Sequence, residues 1–216
     1  PVPGSPGTHI RRATEALGVV SQGEKVGMTT VYFDFETGGV EAHHPNISLA
    51  AIAIKDGVEI ESMHLRIQFD EVLAQPEALA INHYDKALWE AEAVSEKATT
   101  PRFSDFLSRH KSLSLISART GRPYNVARLA GYNSASFDGP RANAMFDRHG
   151  MFPPFRRPTL DVLQLVLQHF DTNNISLVNN KLSTVAAHFG ISTDNAHDAL
   201  ADCRMTALIH QKLYSK

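Results

Sequence analysis

The sequence predicts an α/β fold in which a mixed five-stranded sheet carries helices. Three segments in a row near the start of the chain, at 29–36, 47–55 and 58–69, have the alternating apolar pattern of strands. Helical segments then alternate with two shorter apolar runs that are typical of strands. A meander followed by such alternation indicates antiparallel strands first and parallel strands later, in one domain.

The first half of the chain contains two predicted helices after the meander. Lys-Asp-Gly at 55–57 is the turn of a hairpin between the second and third strands. A helix is predicted within 75–94, where a proline near the start favours a first helical turn. A second helix is predicted over 99–113, with Thr99 or Thr100 as its cap.

The second half alternates strands with helices. Its predicted elements are a buried strand at 126–132, a helix at 139–150, a short strand leading into a helix at 156–170, and helices at 181–190 and 194–215. Asp194 or Asn195 is the predicted cap of the last helix.

The first 27 residues are predicted to lie outside the domain, which would span 28–216. The start is rich in Pro and Gly and lacks the apolar segment of a signal peptide. We expect a tail that is disordered or foreign to the natural chain, with a short helix at 9–20 as an alternative. Met28 is a candidate for the natural start.

Composition narrows the class of protein. The formal net charge is -2, close to neutral for a chain of this size. Cys203 is the one cysteine, so an intramolecular disulfide is excluded and a reducing compartment is favoured. The apolar runs are too short to span a membrane. We therefore expect a soluble cytoplasmic protein that does not bind membranes.

Charge is distributed unevenly along the chain. Residues 101–160 contain ten Lys and Arg and three Asp and Glu, a balance of 10 − 3 = +7. A basic, arginine-rich segment suits contacts with phosphates. Scattered charges on a solvated surface are an equally good interpretation, because the sequence does not show whether these side chains share a face.

The first strand places two carboxylates side by side. In Val-Tyr-Phe-Asp-Phe-Glu-Thr-Gly-Gly, at 31–39, Asp34 and Glu36 alternate with Phe33 and Phe35 and therefore point to the same face. They are either the solvated face of a half-buried strand or two ligands of a cation. The segment alone leaves both interpretations open.

Further candidates lie where predicted helices begin. Asp138 follows a buried strand and starts a helix, which suits a site residue or a capping carboxylate. His197 and Asp202 are five residues apart, so their side chains would diverge by about 140° within one regular helix. They can share a site only if His197 precedes the regular helix.

In chain order these residues match three motifs of the DEDDh 3′–5′ exonucleases, a family with the ribonuclease H-like fold. The motifs are D-x-E at 34–36, N-x(2–3)-F/Y-D at 133–138 and H-x(4)-D at 197–202. The chain resembles this family from about residue 29 to 214, and most closely the catalytic domain of bacterial exonuclease I. The resemblance implies helices on both faces of the sheet.

The resemblance also implies an enzyme, a 3′–5′ exodeoxyribonuclease that removes nucleoside 5′-monophosphates from single-stranded DNA with two Mg²⁺ ions, for which Mn²⁺ could substitute. The implied metal ligands are Asp34, Glu36, Asp138 and Asp202, and the implied general base is His197. The implied substrate contacts are Thr37, Gly38, Asn133 and Phe137. For Asn133, a turn at the end of the strand is an equal alternative.

Two other functions fit the same motifs. An exoribonuclease would use the same residues on RNA, and a proofreading or docking subunit would act within a larger nucleic-acid complex. A role in DNA repair, and association with the nucleoid in a bacterium, would follow from the leading interpretation. Several other polar residues are expected to be structural, namely His43, His44, Asp161, Asp198 and Cys203.

Overall fold

The structure, a computed structural model, describes residues 27–194 and 197–214. The predictions of a tail over 1–27 and of a short helix at 9–20 therefore fall almost entirely outside the described residues, and so does the alternative cap Asn195. Within the described part, the chain forms one mixed sheet with helices on both of its faces. The predicted fold class is confirmed.

The sheet has six strands, one more than the sequence predicted. They are β1 Thr30–Thr37, β2 Asn46–Lys55, β3 Val58–Arg66, β4 Lys111–Ile116, β5 Pro123–Gly131 and β6 Leu160–Asp161. The order across the sheet is β3-β2-β1-β5-β4, and β6 pairs with β5. Strand β1 is central, antiparallel to β2 and parallel to β5.

The additional strand is β4, whose first residues were assigned to a helix by the sequence analysis. In Lys-Ser-Leu-Ser-Leu-Ile, leucine and serine alternate with the period of a strand, and the segment pairs antiparallel with β5. The prediction was wrong here because the preceding helical pattern runs into the strand without a glycine or proline between them.

Seven helices accompany these strands in the described part of the chain. They are α1 Pro76–Ile81, α2 Lys86–Glu92, α3 Glu96–Arg109, α4 Asp138–Arg148, α5 Val162–Asn173, α6 Leu182–His188 and α7 Ala199–Tyr214. A short 3₁₀ turn, Glu71–Leu73, precedes α1.

Two helix predictions in the first half need correction. The helix predicted within 75–94 is broken into α1 and α2, because His83 adopts a left-handed conformation and Asp85 caps α2 through the Leu88 N–H. Helix α3 is capped by Ser95, not by Thr99 or Thr100, which are buried in its second turn.

The last helix also begins later than predicted. Its regular part starts at Ala199, and the Asp198 carboxylate accepts the Ala201 N–H at 2.9 Å. Asp198 is therefore the cap, as expected of a structural acid, and the prediction of Asp194 was wrong. Asp194 instead accepts a hydrogen bond from the Ser192 hydroxyl.

The alternation in β1 separates two cores. Phe33 and Phe35 pack against α3 and α4 on one face of the sheet. Tyr32 lies on the other face, in the core that α5, α6 and α7 cover. Both phenylalanines are almost fully buried, so the two carboxylates that alternate with them are held on the α7 side.

Strand β3 contains a β-bulge at Ile60. Its neighbours Glu61 and Glu59 pair with consecutive residues of β2, so Ile60 is the extra residue and the two glutamates face opposite sides of the sheet. Glu59 forms an ion pair with Arg204 of α7, and Glu61 forms one with Arg109 of α3. The edge strand is thereby tied to helices on both faces.

No helix in the described part of the chain combines the length and the apolar character needed to cross a lipid bilayer.

Candidate active site

Three carboxylates from the two ends of the chain meet on the α7 side of β1. One ligand atom of each of Asp34, Glu36 and Asp202 lies within 4.8 Å of the others. The first two come from alternate positions of the central strand, and the third comes from the first turn of α7. Asp202 is thus a third possible ligand, which the strand alone could not supply, and it favours the interpretation of Asp34 and Glu36 as ligands of a cation.

Asp138 lies directly beside the same strand. It is the first residue of α4 and is buried, and its Oδ1 accepts the Phe35 N–H at 3.1 Å. Because Phe35 lies between the two acids of β1, this hydrogen bond fixes Asp138 next to both. The position at the end of β5 and the start of a helix is the one that the sequence indicated.

His197 lies in the turn that precedes α7. Its φ of 70° is left-handed, and its backbone N–H donates a hydrogen bond to the Asp202 carboxylate. The side chain is exposed and lines an open cavity of about 590 Å³ together with Asp202 and Asn133. The condition set by the sequence is met: His197 precedes the regular helix and therefore shares a cavity with Asp202.

Burial, aided by repulsion between neighbouring acids, opposes ionisation of the packed carboxyls. Burial, then the carboxylates of Asp202 and Asp138, raise the pKa of Glu36 from 4.5 to about 8. Burial raises the pKa of Asp138 to about 7, although the Phe35 N–H opposes the change. Burial also raises the pKa of Asp202 to about 6, and burial with the neighbouring acids raises that of Asp34 well above its usual range.

This donor set fits a divalent cation. Within the described part of the chain, the Asp202 Oδ1 is buried and has no hydrogen-bond partner, so a member of the acidic cluster has a buried acceptor without a donor. Carboxylate oxygens are the hard ligands that Mg²⁺ prefers. A cation between the acids would supply the missing partner and offset the burial and the mutual repulsion that raise the pKa values of these carboxyls.

The loop after β1 holds two of the residues implied to contact substrate. The Thr37 hydroxyl donates to the Gly39 carbonyl oxygen at 2.8 Å, and the residue is buried. Gly38 is packed so closely that a Cβ would lie 2.7 Å from the Ala74 Cβ. The absence of a side chain at Gly38 thus allows the segment at Ala74 to pack closely against the loop. Contact between Gly38 and a nucleotide stays a prediction.

The other two implied contacts flank Asp138. Asn133 is left-handed at the end of β5, and its carbonyl oxygen accepts the Ser136 and Phe137 N–H groups, so the turn interpretation is correct. Its exposed side chain also lines the His197 cavity, which leaves the substrate interpretation open. The Phe137 ring is half-exposed and lies under the Arg141 guanidinium, 4.4 Å from its Cζ.

The residues expected to be structural behave as such. Asp161 caps α5 through the Leu163 N–H, and its second oxygen accepts the Ala135 N–H. Cys203 is buried in the core, with its Sγ 3.6 Å from the Ala50 carbonyl oxygen. His43 and His44 lie in the loop after β1, outside the acidic cluster of the described residues.

The match to known proteins is clearest in the second half of the chain. Residues 124–210 match the family model RNase_T, described as exonuclease. The predicted resemblance to the exonucleases is confirmed. None of the curated proteins matches the chain.

Solved structures extend the exonuclease match to the whole fold. E. coli exonuclease I in complex with a dT13 oligonucleotide superposes with a TM-score of 0.67 at 21% identity, covering 86% of this chain and 41% of that protein. Its complex with a dA16 oligonucleotide gives 0.65 at 22% identity, covering 84% and 40%. The chain thus spans about two fifths of the length of these proteins. The ribonuclease H-like exonuclease fold is thereby established.

Part of the basic segment at 101–160 is engaged in contacts within the protein. Arg109, Arg148 and Arg157 each form an ion pair with an acid. Arg141 donates to carbonyl oxygens of the loop after β1. Four of the ten basic side chains are therefore engaged within the protein, which favours the scattered-surface interpretation for them.

Arg141 is the residue near the acids whose role the sequence did not indicate. It lies one turn after Asp138 in α4 and is half-buried, and its positive charge lowers the pKa of that carboxyl against the effect of burial. No motif marks it, because its acceptors lie about 100 residues earlier in the chain and four of the five are backbone atoms.

Replacing Gly139 by alanine is expected to destabilise the protein by about 1–3 kcal/mol, because the new Cβ would lie 2.7 Å from the Ser134 carbonyl oxygen. The Gly139 N–H also donates to that oxygen at 2.7 Å, so relief requires the start of α4 to move. Urea unfolding would measure the loss. An unchanged or increased free energy of unfolding would show that this approach of the two segments is not required.

Proposed function

We propose that this protein is a Mg²⁺-dependent 3′–5′ exonuclease that acts on single-stranded DNA and releases nucleoside 5′-monophosphates. The observation that carries the proposal is the convergence of four carboxylates from three separate segments. One of them, Asp202, has a buried oxygen that no described residue donates to. Such a cluster destabilises the fold unless a cation fills it, which favours a catalytic role.

The four acids would hold the cations. Asp34 and Glu36 on β1, Asp202 on α7 and Asp138 on α4 present only oxygen ligands. When bound, two divalent cations activate a water molecule and neutralise charge on the phosphate and on the leaving oxygen. The rigid central strand would keep the ligands in place during the reaction.

His197 would take the proton from the attacking water. Its side chain is exposed at the cavity that contains Asp202, where water and substrate can reach it. Neutral imidazole is the side chain best suited to accept a proton near neutral pH. The left-handed turn and the Asp198 cap would hold the ring outside the helix, facing the site.

Single-stranded DNA is the favoured substrate. The solved relatives include exonuclease I bound to dT13 and dA16 oligonucleotides. The half-exposed Phe137 ring beside Asp138 offers an apolar surface of the kind on which unpaired bases stack. A fully paired duplex keeps its bases stacked within the helix and would gain nothing from such a surface.

We expect the protein to shorten a 5′-labelled single-stranded DNA stepwise, to require Mg²⁺, and to be slower on duplex DNA. The ladder of labelled products reports polarity, and EDTA is the control for metal dependence. Mn²⁺ should restore activity after EDTA treatment. A matched RNA oligonucleotide is the decisive comparison: cleavage of RNA alone would replace this proposal by an exoribonuclease. Cleavage of neither strand would favour a docking subunit.

A further inference from the structure

One arginine of α4 holds the β1–β2 loop, residues 38–45. The Arg141 guanidinium donates hydrogen bonds of 2.9–3.3 Å from its two Nη atoms. The acceptors are the carbonyl oxygens of Gly39, Val40, Glu41 and His44 and the side-chain oxygen of Asn46. One side chain thus binds four of the eight backbone carbonyl oxygens of a surface loop.

The geometry requires a guanidinium. Its planar fork presents several N–H donors in fixed directions, whereas a lysine ammonium has three donors around one point. The Phe137 ring lies 4.4 Å from the Arg141 Cζ and fixes the plane of the group. The half-buried guanidinium is thereby directed at the loop.

The other restraints on the loop lie mainly at its base. There the Gly38 N–H donates to the Pro45 carbonyl oxygen, the Gln75 N–H donates to the Gly38 carbonyl oxygen, and the Thr37 hydroxyl donates to the Gly39 carbonyl oxygen. The tip has local hydrogen bonds between Glu41 and the buried His44. Residues 40–43 are exposed and contribute nothing to the described apolar cores. Arg141 is therefore the main connection between the tip and the body of the protein.

Through this connection, Arg141 links the part of the candidate site on β1 to the part on α4. The loop follows Glu36 and Thr37 directly, and Arg141 follows Asp138 by one helical turn. We propose that Arg141 is a positioning residue, which holds the β1–β2 loop in the shape that receives the terminal nucleotide of the substrate. This inference rests on the proposed exonuclease function and extends it to a residue outside the acidic cluster.

The expected effect of Arg141→Ala is a rise of about tenfold in KM for a single-stranded oligonucleotide. A released loop occupies its binding shape only part of the time, and the apparent affinity falls by that fraction. Arg141→Lys should raise KM as the alanine variant does, because an ammonium cannot reproduce the fork. In Arg141→Lys, kcat and the Mg²⁺ concentration for half-maximal rate should change by less than about twofold, since the variant keeps every acid and retains the positive charge that lowers the pKa of Asp138.

A second variant changes the loop itself and leaves Arg141 intact. Gly39 has a φ of 153°, and a Cβ there would collide with the His44 ring, so Gly39→Ala should disturb the loop with Arg141 unchanged. It is expected to raise KM in the same way. Arg148→Ala is the matched control, because this arginine lies on the same helix but its guanidinium pairs with Glu96 at 2.7 Å instead of with the loop carbonyls. Its KM should stay within about twofold of the wild type.

Hydrogen–deuterium exchange of the peptides that cover 38–45 provides a measure that is independent of activity. Faster exchange there in the Arg141 and Gly39 variants, together with the raised KM, would support the inference. A purely structural role would lower the melting temperature and the active fraction, hence kcat, with KM unchanged, and that outcome would overturn it. So would wild-type exchange in the loop of Arg141→Ala.

Failure of the proposed function would be recognised separately. If the wild-type protein cleaves neither DNA nor RNA, the exonuclease proposal fails. The affinity for a fluorescently labelled oligonucleotide, measured by anisotropy in Mg²⁺, then replaces KM in the comparison. A tenfold weaker affinity in Arg141→Ala would still support the positioning role, and equal affinity would overturn it.

Discussion

Glu36→Gln is expected to abolish nuclease activity and, in EDTA, to make the protein more resistant to heat at pH 8. The activity should fall by about a thousandfold or more, because losing a metal ligand removes several kcal/mol of transition-state stabilisation. Without metal, the variant should be more stable because glutamine removes one negative charge from a buried cluster of like charges.

The pH range over which the wild type and Glu36→Gln differ in stability follows from the raised pKa of Glu36. The pKa of Glu36 rises from 4.5 in the unfolded chain to about 8 in the folded protein. The folded state therefore holds a proton that the unfolded chain has lost, and the free energy of unfolding falls as the pH rises from about 4.5 to about 8. Near pH 8 the metal-free wild type should be less stable than the variant, by an amount on the order of a few kcal/mol. At pH 4 the two should differ little.

Melting temperatures at pH 4, 6 and 8 in EDTA would test this stability difference. Glu77→Gln is the matched control, since Glu77 is an exposed carboxylate on α1, and it should change neither activity nor stability. Adding Mg²⁺ at pH 8 should raise the melting temperature of the wild type but not that of Glu36→Gln. A variant that is less stable than the wild type at pH 8 in EDTA would contradict the repulsion that defines this site.

His197→Ala is expected to lower kcat by about 10²–10⁴-fold while leaving Mg²⁺ binding intact. Removing a general base has an effect of this size. The imidazole lies outside the acidic cluster, in the turn before α7, so the four oxygen ligands keep their positions. Isothermal titration with Mg²⁺ and single-turnover cleavage of labelled DNA would separate the two effects.

The control for His197→Ala is His188→Ala, at the exposed end of α6, where the ring packs on Phe170 and Phe189. It should leave the rate of the chemical step unchanged. Loss of Mg²⁺ binding in His197→Ala would mean that the turn before α7 shapes the metal site and that the histidine is not the base. An undiminished rate would remove its proposed role altogether.

The acids of the candidate site could be found from the sequence because each lies at a position with a simple geometric meaning. Asp34 and Glu36 alternate with buried phenylalanines on a strand, Asp138 starts a helix after another strand, and Asp202 follows a histidine at a helix start. Periodicity and chain order carry this information locally.

The contacts that arrange these acids could not be found in the same way. The Arg141 guanidinium binds carbonyl oxygens, which every residue possesses, so its acceptors leave no mark on the sequence. Helix starts were also misplaced, since Ser95 and Asp198 compete with neighbouring polar residues that would cap equally well. The strand β4 was missed because its pairing with β5 decides between two locally plausible structures.

The bulge at Ile60 bears on how readily the edge strand β3 could pair with a second copy of the protein. Strand β3 is an edge of the sheet, and Val58 and Ile60 there are exposed apolar side chains. A regular edge of this kind is a template onto which another chain can add a strand, the first step towards aggregation. The extra residue interrupts the ladder of backbone groups, and it turns Glu59 and Glu61 to opposite faces, so that a charge lies beside the edge on each side. The same bulge that ties the edge to α3 and α7 thus makes it a poor partner for a second sheet.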